Sequence, residues 1–149
     1  MGVVANAELV ERELGRWDCA DVAFLRRFAF ENCDGASFDL SLVVLMQPRP
    51  PLTSRWPDPR GAFWEVEMAF QGVRDLRITV TGPWDMQTPG FVIEDIRAWQ
   101  WEGVRLRVYD EEGAPVGFNT RSASVRWCRP DAAGPACPTF ARQAPSRGD

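Results

Sequence analysis

Phe63-Trp64-Glu65-Val66-Glu67-Met68-Ala69-Phe70 alternates apolar with charged side chains, and that alternation sets the fold class. A period of two sends successive side chains to opposite faces of a strand, one toward a core and one toward water. Trp64, Val66, Met68 and Phe70 are therefore expected inside, with Glu65 and Glu67 on a solvated or partner-facing side. The same texture returns at Leu76-Arg77-Ile78-Thr79-Val80-Thr81 and at Val104-Arg105-Leu106-Arg107-Val108-Tyr109.

Working outward, Val22 to Phe30 favours a first strand, with a helical turn as the alternative. Asn32-Cys33-Asp34-Gly35 is turn chemistry. Phe38 to Met46 reads as a second strand whose run Leu42-Val43-Val44-Leu45-Met46 implies burial on both faces. Gly72 divides the 63–70 strand from Leu76–Thr81 by a bulge or tight turn. Phe91–Ile96 and Val104–Tyr109 form the next pair, and Val116–Trp127 the last long strand, bulged at Gly117. Ahead of these, residues 7–17 carry Leu9 or Val10, Leu14 and Trp17 at helical intervals, with Asn6 as N-cap and Glu8 at the positive end of the dipole.

The expected architecture is mainly β. It is an antiparallel β-sandwich or partly open barrel of about seven strands with a short N-terminal helix. A chain of 149 residues suits one domain, placed at 1–140, followed by an irregular tail at 141–149 rich in small and polar residues. With 45% hydrophobic residues, seven Trp and nine Phe, there is material for a packed core, in which Trp64, Trp99 or Trp101, and Trp127 are expected.

Charge and cysteine usage narrow the function classes. The formal charge is −4, with a pI near 4.9, and all 17 cationic residues are arginines, scattered except for Arg26-Arg27. Nucleic-acid binding needs a concentrated basic field, so it is not expected. No apolar run approaches the roughly 20 residues of a membrane span, and Met1 to Glu8 lacks a basic n-region, so a cytoplasmic protein is expected. Cys19, Cys33, Cys128 and Cys137 have no close spacing, which favours thiols over disulfides, with a Cys128–Cys137 bridge as the alternative in an exported chain. Without any histidine, neither a zinc site nor a Ser-His-Asp or Cys-His triad is expected, and no cofactor motif is present.

One catalytic option remains. Glu65 and Glu67 lie on one strand face at roughly 7 Å, a separation used in glycoside hydrolysis. Alternation generates such pairs without any catalytic role, so a non-enzymatic binding protein is the leading expectation. A β-barrel holding a small apolar molecule is the alternative, and a carboxylate-dependent hydrolase the third reading. The candidate contact residues lie in loops. Gln47–Gly61 holds five prolines and Trp56, which either folds back as a lid or faces a partner. Gly82–Gly90 carries Trp84 and Asp85 near its tip, and Asp110-Glu111-Glu112 crowds a hairpin. These six residues form the expected partner-binding set, in which acidic groups would steer a basic partner.

Val66-Glu67-Met68-Ala69-Phe70-Gln71-Gly72-Val73-Arg74-Asp75-Leu76-Arg77-Ile78, followed by Gly90-Phe91-Val92-Ile93-Glu94-Asp95-Ile96, resembles small bacterial immunity proteins of polymorphic toxin systems. In those sequences a strand with Phe-x-Gly-Val-x-x-Leu precedes a Gly-Phe-x-Ile-x-Asp-Ile strand and a Val-x-Asp-x-Glu-Gly hairpin, here Val108 to Gly113. The likeness spans residues 64–127, with an echo at Trp17–Asp21, where Ala20-Asp21 stands in place of the His-Asp pair of relatives. It implies a β-rich cytosolic protein that neutralises a cognate toxin by occluding its active site, and it transfers no site residues.

Overall fold

The alternation that begins at Phe63 does not stop at Gly72. In the computed structural model, described for residues 3–35, 37–50, 55–80, 85–110 and 116–136, a single strand, β4, runs from Phe63 to Ile78. Around it are β1 (Val4–Ala5), β2 (Val22–Asp34), β3 (Ser37–Met46), β5 (Met86–Gln87), β6 (Phe91–Asp95), β7 (Leu106–Asp110), β8 (Val116–Thr120) and β9 (Ser122–Asp131). A helix, α1 (Glu8–Leu14), follows β1. The nine strands form one sheet in the order β5-β2-β3-β4-β8-β7-β6, with β9 also on β4 and β1 on β9. Every pairing is antiparallel except β1 with β9, so the mainly β, partly open architecture expected from the sequence is the one observed.

β4 is long because it serves two halves of the sheet. Its first part pairs with β3 and β9, and from Arg74 on it pairs with β8. The change of partner is a corner. Gly72 has φ +65° and Asp75 φ +58°, and the β4–β8 register slips between Arg74 and Arg77. On the facing side the expected Val116–Trp127 strand also breaks, at Arg121, whose amide donates to the Gln71 carbonyl at 2.9 Å. A Cβ at position 72 would sit 3.2 Å from the Arg121 Cβ, so glycine is favoured by torsion and lets the two corners approach closely. Gly72 thus bends a strand where the sequence predicted a break between two.

Bending folds the sheet over one core. Leu40, Leu42 and Val44 of β3 and Val66, Met68 and Phe70 of β4 meet Val108, Val116, Phe118 and Phe91 from the other half. Phe70 and Phe118 cross edge-to-face at 4.9 Å. α1 closes one side through Val10, fully buried, with Leu9, Leu14 and Trp17 half-buried against the same cluster. The helix is shorter than the 7–17 expected. Asn6 has φ +61° and accepts the Leu9 amide through its carbonyl, Ala7 takes the N-cap position, and Gly15 in the left-handed region ends the helix. The sheet does not close by a ladder. β5 and β6 end its two sides and are joined by Thr88-Pro89-Gly90, where a Cβ on Gly90 would lie 2.8 Å from the Ala20 carbonyl.

The outer face of β2–β4 is also covered. Ala23, Phe24, Leu45 and Phe63 form a second apolar cluster under Trp56. It covers Leu45, one of the outward residues in the stretch of β3 that is buried continuously from Leu40 to Met46. Of the indoles expected in the core, Trp64 and Trp127 are half-buried and belong to neither apolar cluster, and Trp99 and Trp101, expected between them to supply one, are 46% and 51% exposed. Arg97–Trp99 forms a 3-10 turn, and Gln100 in the left-handed region breaks the alternation that would have sent one indole inward. Among the described residues no helix is long and apolar enough to cross a membrane.

Cys19, Cys33 and Cys128 are free thiols, and Cys137 lies outside the described residues. Burial pushes the Cys19 thiol up to about 12, reinforced by Asp18 and Asp21, and burial with the Glu13 charge takes Cys128 to about 11. Cys33 is exposed. In a Cys137→Ser chain, thiol titration in native buffer is expected to show one fast-reacting group, Cys33. The other two should react at least about tenfold more slowly until denaturant is added.

Candidate binding groove on the second half of the sheet

The outer face of β4, β7 and β8 carries an open groove of about 460 Å³. Its construction follows from register. Gly117 lies opposite both Tyr109 and Arg77, and Asn119 lies opposite both Arg107 and Arg74. Alternation along β7 buries Leu106, Val108 and Asp110 and turns Arg107 and Tyr109 outward. Because the middle position is glycine, the Arg77 guanidinium can lie over the backbone between Arg77 and Tyr109, with Nη2 3.5 Å from where a Cβ would stand. Trp101 forms one wall, stacked edge-to-face on Trp99 at 5.2 Å.

Electrostatically the groove is a donor surface. The Arg107 guanidinium lies 5.2 Å from the Tyr109 ring centroid, a cation–π distance. Asn119 Nδ2 donates to Asp75 Oδ2 at 3.2 Å, and Arg74 Nη1 donates to the Glu102 carbonyl at 3.4 Å, which fixes two walls. Neither Arg77 nor Arg107 forms an ion pair among the described residues. Two unpaired guanidinium groups beside an indole and a phenol suit carboxylate-bearing or planar surfaces, through hydrogen bonding and stacking.

The described residues of the expected partner-binding set, Trp56, Asp85 and Asp110, lie elsewhere. Trp56 is half-buried, donates from Nε1 to the Gln47 carbonyl at 2.8 Å, and lies 3.9 Å beneath the Arg49 guanidinium. It is the lid over the outer apolar cluster. Asp85 is buried and accepts from Arg26 and from the Ala136 amide. Asp110 is fully buried, and its Oδ2 accepts the Val116 amide at 3.2 Å across the hairpin. Trp84, Glu111 and Glu112 lie outside the described residues. The described members of the set are not brought together, and the two aspartates are held by internal contacts.

Glu65, expected on a solvated edge, is buried. Arg26 Nη1 reaches it at 2.9 Å and Arg129 Nη2 at 2.6 Å. Burial pushes its carboxyl up, but hydrogen bonds from Arg26 and Arg129 outweigh that and hold it below the usual glutamate range. A proton-donating carboxyl needs the opposite shift. Glu67 accepts from Ser41 Oγ at 3.0 Å and lies 3.7 Å from Arg126. Among the described residues no group of Cys, Asp and Glu is placed to hold a metal ion.

The lowered value has a consequence for acid stability. A carboxylate with a depressed folded pKa stabilises the fold fully above its unfolded value, about 4.5, and loses that contribution as pH falls through the folded one. Urea midpoints are therefore expected to hold from pH 7 to about 5 and to fall below about 4.5. Glu65→Gln should lower the neutral-pH midpoint and flatten this acid limb.

Of the groove residues, Arg77, Arg107, Tyr109 and Asn119 were not singled out by sequence; Gly117, expected to be a bulge, pairs in register with Tyr109, and the irregularity lies on β4 between Arg74 and Arg77. The Val104–Tyr109 alternation does place Arg107 and Tyr109 outward, but their meeting with Arg77 and Gly117 depends on strand pairing. Comparison with protein families, with curated proteins and with solved structures finds no match for this chain.

Proposed function

We propose that this chain is a non-enzymatic protein-binding domain of immunity type, neutralising a partner toxin by covering its active surface, with the Arg77–Arg107–Tyr109–Trp101 groove as the docking site. The exposed indole pair beside two unpaired arginines carries this reading, because Trp, Tyr and Arg dominate the energetics of protein contacts. A core packed with Phe70, Phe118 and Phe91 favours an external surface over an internal ligand chamber. The excess of arginine at the groove, in a chain of net charge −4, favours an acidic patch on the partner.

Co-expression with the product of the adjacent open reading frame tests the reading. A co-purifying complex and restored growth are expected; neither complex nor protection from the intact chain would sink it. Trp101→Ala and Arg107→Ala are each expected to weaken the complex by about 2–4 kcal/mol. Their effect on thermal stability should stay within about 0.5 kcal/mol, since both side chains are exposed. Full affinity in both variants would remove the groove from the interface.

A further inference from the structure

β2 is a sheet-edge strand for most of its length. β5 pairs with it only at Phe24 and Leu25, so from Arg27 onward one side of its backbone has no strand beside it among the described residues. Arg27, Phe28, Ala29 and Phe30 are all exposed, with Phe30 at 55%. Phe28, Phe30 and Phe38 form a chain of edge-to-face rings at 5.9 and 5.3 Å. Phe28 and Phe30 lie opposite Leu42 and Leu40, so this row continues the core side of the sheet past the point where the core covers it. Soluble proteins blunt such edges with charges, prolines or bulges, and an apolar edge left open is a template for another strand.

The sequence at this edge is complementary to itself. Laid antiparallel about Ala29, a second copy places Phe28 opposite Phe30, Phe30 opposite Phe28, and Arg27 opposite Glu31 at both ends. Shifting by one position in either direction from that centre loses the charge match: about Phe28, Arg27 meets Ala29, and about Phe30 it meets Cys33. The β2–β3 register is unbroken from Arg27 to Glu31, so these residues keep alternate faces, and a two-fold pairing puts the Phe side chains on one face and the charges on the other. Arg27 forms no ion pair among the described residues, whereas Glu31 is bound by Arg126 at 3.1 Å and is thereby held in place for a second cation.

We infer that residues 27–31 of β2 pair antiparallel with the same residues of a second copy, joining two sheets across a two-fold axis at Ala29. The contact gains about four to six backbone hydrogen bonds, a ladder of phenylalanine rings and two Arg27–Glu31 pairs. It is small beside obligate interfaces, so the dimer forms and dissociates with concentration.

Sedimentation velocity on the full chain from about 1 μM to 1 mM is expected to show a shift from monomer to dimer. Arg27→Glu alone and Glu31→Arg alone each set like charges across both ends and should weaken the dimer at least about tenfold. An equimolar mixture of the two variants restores both pairs, so a heterodimer of wild-type strength should appear on mixing. General destabilisation of either variant produces no such recovery. Phe30→Ser, which leaves the Glu31–Arg126 pair intact, should reduce association by a similar factor. A chain that stays monomeric to the highest concentration, a dimer indifferent to these changes, or two disrupted variants with no recovery on mixing would each overturn the inference. A monomeric chain that still binds its partner protein overturns the dimer alone and leaves the groove untouched.

Discussion

Arg26→Ala is expected to lower the unfolding free energy by about 3–5 kcal/mol, read from urea denaturation at pH 7. Arg26 leaves β2 at a bulge and reaches Glu65 at 2.9 Å, Asp85 at 2.9 Å and Asp131 at 3.2 Å, and it donates a further bond to the Gly134 carbonyl at 3.1 Å. Its side chain is 19% exposed, and the three carboxylates are 7–12% exposed. Burial works against the guanidinium charge, but the hydrogen bonds to Asp85, Glu65 and Asp131 more than compensate and keep it protonated. Truncation would leave three carboxylates in a poorly solvated pocket with, among the described residues, the half-solvated Arg129 as the remaining cation on Glu65. Arg26→Lys should recover only part of the loss, because one ammonium cannot reproduce a planar fork that serves three partners. A loss below about 1 kcal/mol would show that water screens the cluster as it does a surface pair.

Phe70→Ala is expected to destabilise by a similar amount, about 3–5 kcal/mol. Phe70 is fully buried, packs edge-to-face on Phe118, and sits two residues before the corner at Gly72. Through Phe118 it links the first part of β4 to β8, so its removal opens a cavity between the halves of the sheet. The backbone at the corner is tied by the Arg121 amide and Thr120 Oγ1, both donating to the Gln71 carbonyl, which limits collapse into that space. Phe70→Leu, which refills most of the volume, should cost about 1–2 kcal/mol. Against a total stability of roughly 5–15 kcal/mol for a domain of this kind, the alanine variant should be visibly less stable in a thermal melt.

Strand positions were legible in the sequence because alternation is a local signal. Val66, Met68 and Phe70 are core as their spacing indicates, whereas Trp64, expected with them, is half-buried and outside both apolar clusters; the Leu42–Met46 run is buried on both faces as expected. One cause of the failures is coverage by remote segments. Glu65 occupies an outward position, yet Asp85 and residues 131–136 converge there around Arg26, and nothing near Glu65 in sequence announces them. Trp101 looks like a core residue by composition and is exposed because of one left-handed residue, Gln100. Gly72 was visible as a break in pattern; that it bends a strand needs the facing corner at Arg121. The groove combines both situations: Arg107 and Tyr109 are readable from β7 alone, whereas Arg77 and Gly117 join them only through the β4–β8–β7 register.

The pairing of β1 with β9 bears on how the chain comes off the ribosome. Val4 lies against Ala123 and Ala5 against Ser124, and β4 meets β9 over the same stretch. At roughly 5–20 residues per second, Val4 waits about 6–24 s for its neighbour to be made. During that interval the β2–β3 hairpin and the first part of β4 are complete but lack their far wall, with Val66, Met68 and Phe70 uncovered. Native structure of this sheet thus waits for β9, and the nascent chain passes through a sticky, half-built stage in which a holdase chaperone has the most to offer.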